Sequence, residues 1–292
     1  MSLSDPRVDR GARAAIQRDQ LRLRVHAWRQ RAQAPVIVHA DILFGAALLG
    51  GVMNAVAGGG SFLTFPALIV AGVPPISANA TNTVALWPGS IASVWAYRRD
   101  VRRAPHALLL SSASLVGGAL GAVLLLHLPS ATFARLIPYL LLLTTLLFAF
   151  NRPLGARFRT HQDGVPDRSW RVLAGLTLAQ LAIATYGGFF GAGIGIVMLA
   201  VFGLMGLDDI HMMNGLKMLL VSITNGVAVV IFVVAHAVVW PQALLMLVGA
   251  IVGGYAGAAL ARQLDPRTVR GVVILIGCVM TLYFFARTYH LA

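Results

Sequence analysis

Ten apolar runs follow one another along the sequence: 36–57, 62–72, 76–97, 106–127, 132–150, 171–190, 194–206, 210–235, 241–260 and 269–288. Eight of them are long enough to cross a hydrocarbon core about 30 Å thick, which takes about 20 helical residues. The chain is 58% hydrophobic and only 11% charged, whereas a soluble domain carries about a quarter charged residues. The expected fold class is therefore an all-α polytopic membrane protein. A membrane barrel would need short alternating strands, and none is visible in the sequence. The runs 62–72 and 194–206 are too short to span alone and are expected as re-entrant or broken helices. Eight transmembrane helices follow, or nine if one short run completes a crossing.

The net charge of +13 comes from 22 arginines and one lysine against ten aspartates, with no glutamate. The arginines lie in loops and in the first 34 residues, the pattern that orients membrane proteins with basic loops inside. They are thus read as membrane orientation, and nucleic acid is not an expected partner. The lipid bilayer of the cytoplasmic membrane is. Residues 1–34 hold eight arginines and are expected as a basic cytoplasmic tail, either an amphipathic helix on the lipid surface or disordered. A lone cysteine, Cys278, makes no internal disulfide. No Walker-type loop, metal-ligand spacing or catalytic triad occurs, so no cofactor and no enzymatic activity are expected.

A polar segment, 151–170, separates two halves, 35–150 and 171–292, read as first and second membrane repeats. With an offset of 135 residues, Gly58 falls on Gly193, Gly60 on Gly195, Asn79 on Asn214, Asn82 on Lys217 and Gly118 on Gly253. Each half has the order span, glycine break, short helix, long helix, two spans. Shared element order is the stronger sign of duplication, because glycines are common in membrane helices.

The glycine breaks point to function. Irregular backbone at membrane depth is tolerated only where it is buried in protein or lines a cavity. Asn54, Gly58, Gly59, Gly60 and Ser61 make up the first break, in NAVAGGGS. Gly191, Gly193 and Gly195 punctuate the second, YGGFFGAGIG. Helix N-termini beyond such breaks offer N–H donors and the positive dipole end, which suit an anion. Packing by small residues is the structural alternative.

Lys217 is the only lysine in the chain and lies in the apolar run NGLKMLLVSITNG. An ionisable residue inside a membrane segment marks function by default, although about two turns from the end of its run it can also snorkel to the interface. Asn214, Lys217 and Asn225 fall near one helical face. Asn79, Thr81 and Asn82 form the matching cluster of the first half. One cation among neutral amides and hydroxyls suits a small oxyanion substrate rather than a metal.

The stretch NAVAGGGSFLTFPALIVAGVPPISANATNTVALWPG resembles the first-half signature of the sulfite exporter TauE/SafE family. YGGFFGAGIG followed by MNGLKMLLVSITN resembles that family's second repeat. The resemblance spans roughly residues 36–290 and leaves out the arginine-rich tail. It implies export of small sulfur-containing anions, such as sulfite or organosulfonates, across the cytoplasmic membrane. A non-transporting membrane scaffold or assembly factor, recruiting a partner through the basic tail, is the alternative from another class. A homodimer is compatible with either, with no residue to specify it.

Overall fold

The computed structural model describes residues 40–56, 59–159, 170–204, 209–260 and 266–289. The basic tail 1–34 and Gly58 lie outside the described residues. Among those residues there are eleven helices and no strand. They are α1 (Ala40–Val56), α2 (Ser61–Val70), α3 (Pro75–Ala96), α4 (Arg98–Val101), α5 (Ala107–His127), α6 (Ser130–Arg159), α7 (Trp170–Phe189), α8 (Ile194–Leu204), α9 (Ile210–Val234), α10 (Trp240–Leu260) and α11 (Pro266–Thr288). Each of the ten apolar runs holds a helix among the described residues. The short runs become α2, with 10 residues, and α8, with 11. At 1.5 Å per residue each covers about half of a hydrocarbon core.

Two elements depart from expectation. The segment 151–170 was expected as a linker, yet α6 runs on through its first part to Arg159. Loss of hydrophobicity marks where a helix leaves lipid, and the backbone hydrogen bonds have no reason to stop there. The RRDVRR loop likewise contains a short helix, α4.

Four helical stretches are apolar and long enough to cross a membrane: Ala107–His127, Ser130–Phe150, Met212–Val234 and Gly271–Thr288. Their outer faces carry exposed Leu115, Leu120, Leu124, Leu275 and Leu282. In water such faces would be costly; in a bilayer they are the lipid contact. With no hydrophobic drive between helices in lipid, close packing through small residues brings them together. α1 lies along α10, and α5 lies along α7, as the two most extensive contacts of the bundle. Gly51 and Gly253 let α1 and α10 approach backbone to backbone, while Gly121 and Gly188 do the same for α5 and α7. Inside, α3 crosses α9. There the Trp87 indole donates to the Ser222 carbonyl at 3.0 Å, and its ring covers Gly226. α11 packs along α6.

Candidate functional site

Both breaks sit where a span gives way to a short helix, and each faces the long helix of its own half. At the first, Gly60 precedes Ser61, the first residue of α2. Asn82, on α3, reaches this point. Its carboxamide nitrogen donates to Ser61 Oγ at 3.3 Å, and its oxygen accepts from the Thr64 hydroxyl. That hydroxyl is also 3.1 Å from the Gly60 carbonyl. Thr64 and Asn82 are buried. The side chains of Ser61, Thr64 and Asn82 are thus linked to one another at the first break. Asn54 lies against it: a Cβ on Gly60 would come within 3.1 Å of the Asn54 Cβ. Gly59 is buried between Val273 of α11 and Phe148 of α6.

The second break is built differently. Gly191 and Gly193 have φ of +78° and +75°, left-handed backbone that side-chain-bearing residues adopt only under strain. Turns of this kind gather successive N–H groups into concavities that favour anions. The Tyr186 hydroxyl, from the last turn of α7, donates to the Ala192 carbonyl at 3.0 Å. It also shares a 2.9 Å hydrogen bond with Thr144 of α6. A Cβ on Gly193 would press on the Thr144 methyl at 2.6 Å. The break is thus fixed from two sides.

α9 provides the other wall. The Lys217 stem lies along the start of α8, with Cδ 3.1 Å from where a Cβ on Gly195 would stand. Its Nζ donates to Asn214 Oδ1 at 2.9 Å, so the helical spacing of three does bring those two together. Asn225 Oδ1 faces Gly191, 3.8 Å from a Cβ built there. Gly195, Asn214 and Lys217 therefore meet at the start of α8, Gly191 and Asn225 at the turn before it with Gly193 against Thr144, and Asn54, Gly59, Gly60, Ser61 and Asn82 at the first break.

Two predicted residues leave the first-half cluster, and one of them, Asn79, reaches the second break. Asn79 points to the other half: its Nδ2 donates to the Phe189 carbonyl at 3.1 Å. Its Oδ1 is buried without a hydrogen-bond partner. Thr81 turns away from both breaks and accepts the Val239 N–H at 3.0 Å, in the turn before α10. The breaks also touch directly, with Phe65 of α2 edge-on to Phe190 at 5.4 Å between ring centroids. Thr144 and Tyr186 were not singled out from sequence. Tyr186 opens the YGGFFG motif and was the available signal; Thr144 sits in an unbroken apolar run and gave none.

The linked side chains predict a structural role for Asn82. Asn82→Ala removes a partner from buried Thr64 and is expected to cost about 1–3 kcal/mol of stability. Thermal unfolding in detergent should show the loss.

Membrane-length apolar helices together with two half-length ones define a multi-pass helical membrane protein. The chain belongs to the sulfite exporter TauE/SafE family, whose model matches residues 43–284. It is 29% identical over 244 residues to the probable membrane transporter protein YfcA of Escherichia coli K12, across 82% of this chain and 87% of that protein. A probable membrane transporter protein of Haemophilus influenzae is 28% identical over 242 residues, 82% of this chain and 92% of its own length. The probable membrane transporter protein ORF9 of a Sinorhizobium species is 28% identical over 250 residues, at 85% and 93%. No solved structure matches the chain.

Proposed function

We propose that this protein is a secondary transporter that exports small sulfur-containing oxyanions, sulfite or organosulfonates, across the cytoplasmic membrane. The observation that carries this is the placement of Lys217. An ammonium on a membrane helix is packed against the start of α8, and its hydrogen bond goes to a neutral amide. A helix N-terminus bears about half a positive charge. Two positive features side by side at membrane depth repel each other and are poorly solvated. A bound anion offsets both. The N–H groups of Ala192 and Gly193 and the amide of Asn225 would then orient its oxygens.

The contrast between the breaks supports a single anion position. Asn82 and Lys217 occupy matching places under the offset of 135. Asn82 holds the first break with neutral hydrogen bonds, whereas Lys217 leaves a charge to be met at the second. The eight long helices α1, α3, α5, α6, α7, α9, α10 and α11 are taken as the spans, which makes α2 and α8 dip in from the same side. The pairing of α1 with α10 and of α5 with α7 joins the first span of each half to the third of the other, which supports an origin by duplication. Movement of one half against the other would expose the site alternately to each side.

Sulfite flux into proteoliposomes tests this, with sulfoacetate and sulfate as competitors. Saturable flux that the competitors reduce is expected. No flux for any of these anions, with the protein shown to be folded, would refute the transport assignment.

A further inference from the structure

The loop that follows α3 carries chemistry that the anion site does not use. Arg98, Arg99, Arg102 and Arg103 are all exposed, four cations within six residues. Asp100 and Val101 are only half-exposed and turn the other way, onto α9. A Cβ on Gly215 would lie 3.3 Å from both the Asp100 Cβ and the Val101 N, and 3.4 Å from the Tyr97 Cβ. The single turn of α4 is thus seated on α9 with its cationic side outward. Large apolar side chains flank it in the open: Trp95 is 71% exposed, Leu108 is 88% exposed, and Ile91 is exposed too. The Arg98 guanidinium stands 5.2 Å over the Trp95 ring and also donates to the Trp95 carbonyl at 3.0 Å.

We propose that α4 and its arginines form a binding surface for the phosphate headgroups of anionic phospholipid. Tryptophan is enriched where hydrocarbon meets headgroup. Trp95 and Leu108 therefore set the level of this surface, with acyl chains beside them and phosphates at the arginines. Guanidinium groups pair with phosphate oxygens through two parallel hydrogen bonds, and each basic residue at an anionic surface adds to the attraction. A funnel for a soluble anion would need the same charge, but it would gain nothing from exposed Trp95, Leu108 and Ile91, and the apolar rim decides for lipid. Gly215 lies between Asn214 and Lys217 in α9. Headgroups held by α4 would therefore steady the part of α9 that bears the lysine.

The experiment is thermal unfolding of the full-length protein in detergent, with added dioleoyl phosphatidylglycerol, dioleoyl phosphatidylcholine or inorganic phosphate. It reads lipid binding and is independent of which anion is transported. Phosphatidylglycerol is expected to raise the midpoint by several degrees, and neither of the others to do so. The variant R98Q/R99Q/R102Q/R103Q should lose most of that shift, and the pairs R98Q/R99Q and R102Q/R103Q part of it, so that a poorly folding quadruple variant does not leave the question open. An unchanged shift in the variants overturns the proposal. Equal shifts with inorganic phosphate would assign the arginines to a free oxyanion, and equal shifts with phosphatidylcholine would mean apolar anchoring alone; both also overturn it.

Discussion

Lys217→Met is expected to abolish saturable anion flux while leaving a folded protein. Methionine keeps the unbranched stem that packs along Gly195 and removes only the charge and its hydrogen bonds. A charge-assisted hydrogen bond contributes about 1.5–3 kcal/mol, which corresponds to about ten- to hundredfold in affinity. The long-range attraction of the ammonium is lost as well. Stability should move the other way. A half-buried cation hydrogen-bonded to a neutral amide is a liability to the empty protein, so the unfolding midpoint of the variant should equal or exceed that of wild type. Added sulfite should raise the wild-type midpoint by linkage and leave the variant unmoved. Flux at the wild-type level in Lys217→Met would remove the central support for an anion site at the second break. A fall in the midpoint would instead assign the lysine to packing.

Hydropathy alone gave ten of the eleven described helices, with the end of α6 and the single turn of α4 as the exceptions, because an apolar run in a bilayer must satisfy its backbone within itself as a helix. It also located both breaks, since each gathers several glycines between a long apolar run and a short one. The Lys217–Asn214 pair was legible for a related reason: a spacing of three keeps two residues on one helical face. What the sequence could not convey was contact across long separations. Asn79 and Asn82 share a face of α3, yet Asn82 holds the break of its own half and Asn79 reaches Phe189, 110 residues away. Thr81 was grouped with them by adjacency. At about 100° per residue it points nearly opposite to Asn79, and so it meets the Val239 N–H instead. Tyr186 stayed hidden because tyrosine is ordinary in membrane helices, and its partners Thr144 and Ala192 are defined only by folding. Equal status for the two breaks was the natural expectation from matched glycines. The difference lies in what residues 82 and 217 do, and the identities Asn and Lys were its visible trace.

The second large effect concerns folding. Gly188→Val and Gly253→Val are each expected to eliminate most folded protein. A Cβ on Gly188 would run into the Gly118 carbonyl, and one on Gly253 into the Leu48 carbonyl. In both cases the obstacle is backbone, which cannot rotate aside as a side chain does, so a whole helix must move. Overpacking against movable side chains costs about 1–3 kcal/mol; against fixed backbone the cost should exceed about 3 kcal/mol, a large part of the total for an ordinary domain. The two sites lie in different interfaces, α5 with α7 and α1 with α10, and exchange of the halves turns one interface into the other. A duplicated architecture therefore predicts comparable losses at both. Gly45 and Gly175 are the controls, because a Cβ there meets nothing within 4 Å. Gly45→Ala and Gly175→Ala should be neutral or stabilising by up to about 1 kcal/mol, the helix-propensity gain of alanine over glycine. The measurement is the yield of monodisperse protein in detergent together with its unfolding midpoint. Folded Gly253→Val alongside lost Gly188→Val would mean that the two interfaces carry unequal loads. The exchanged pairing would then describe contact without describing what holds the bundle together.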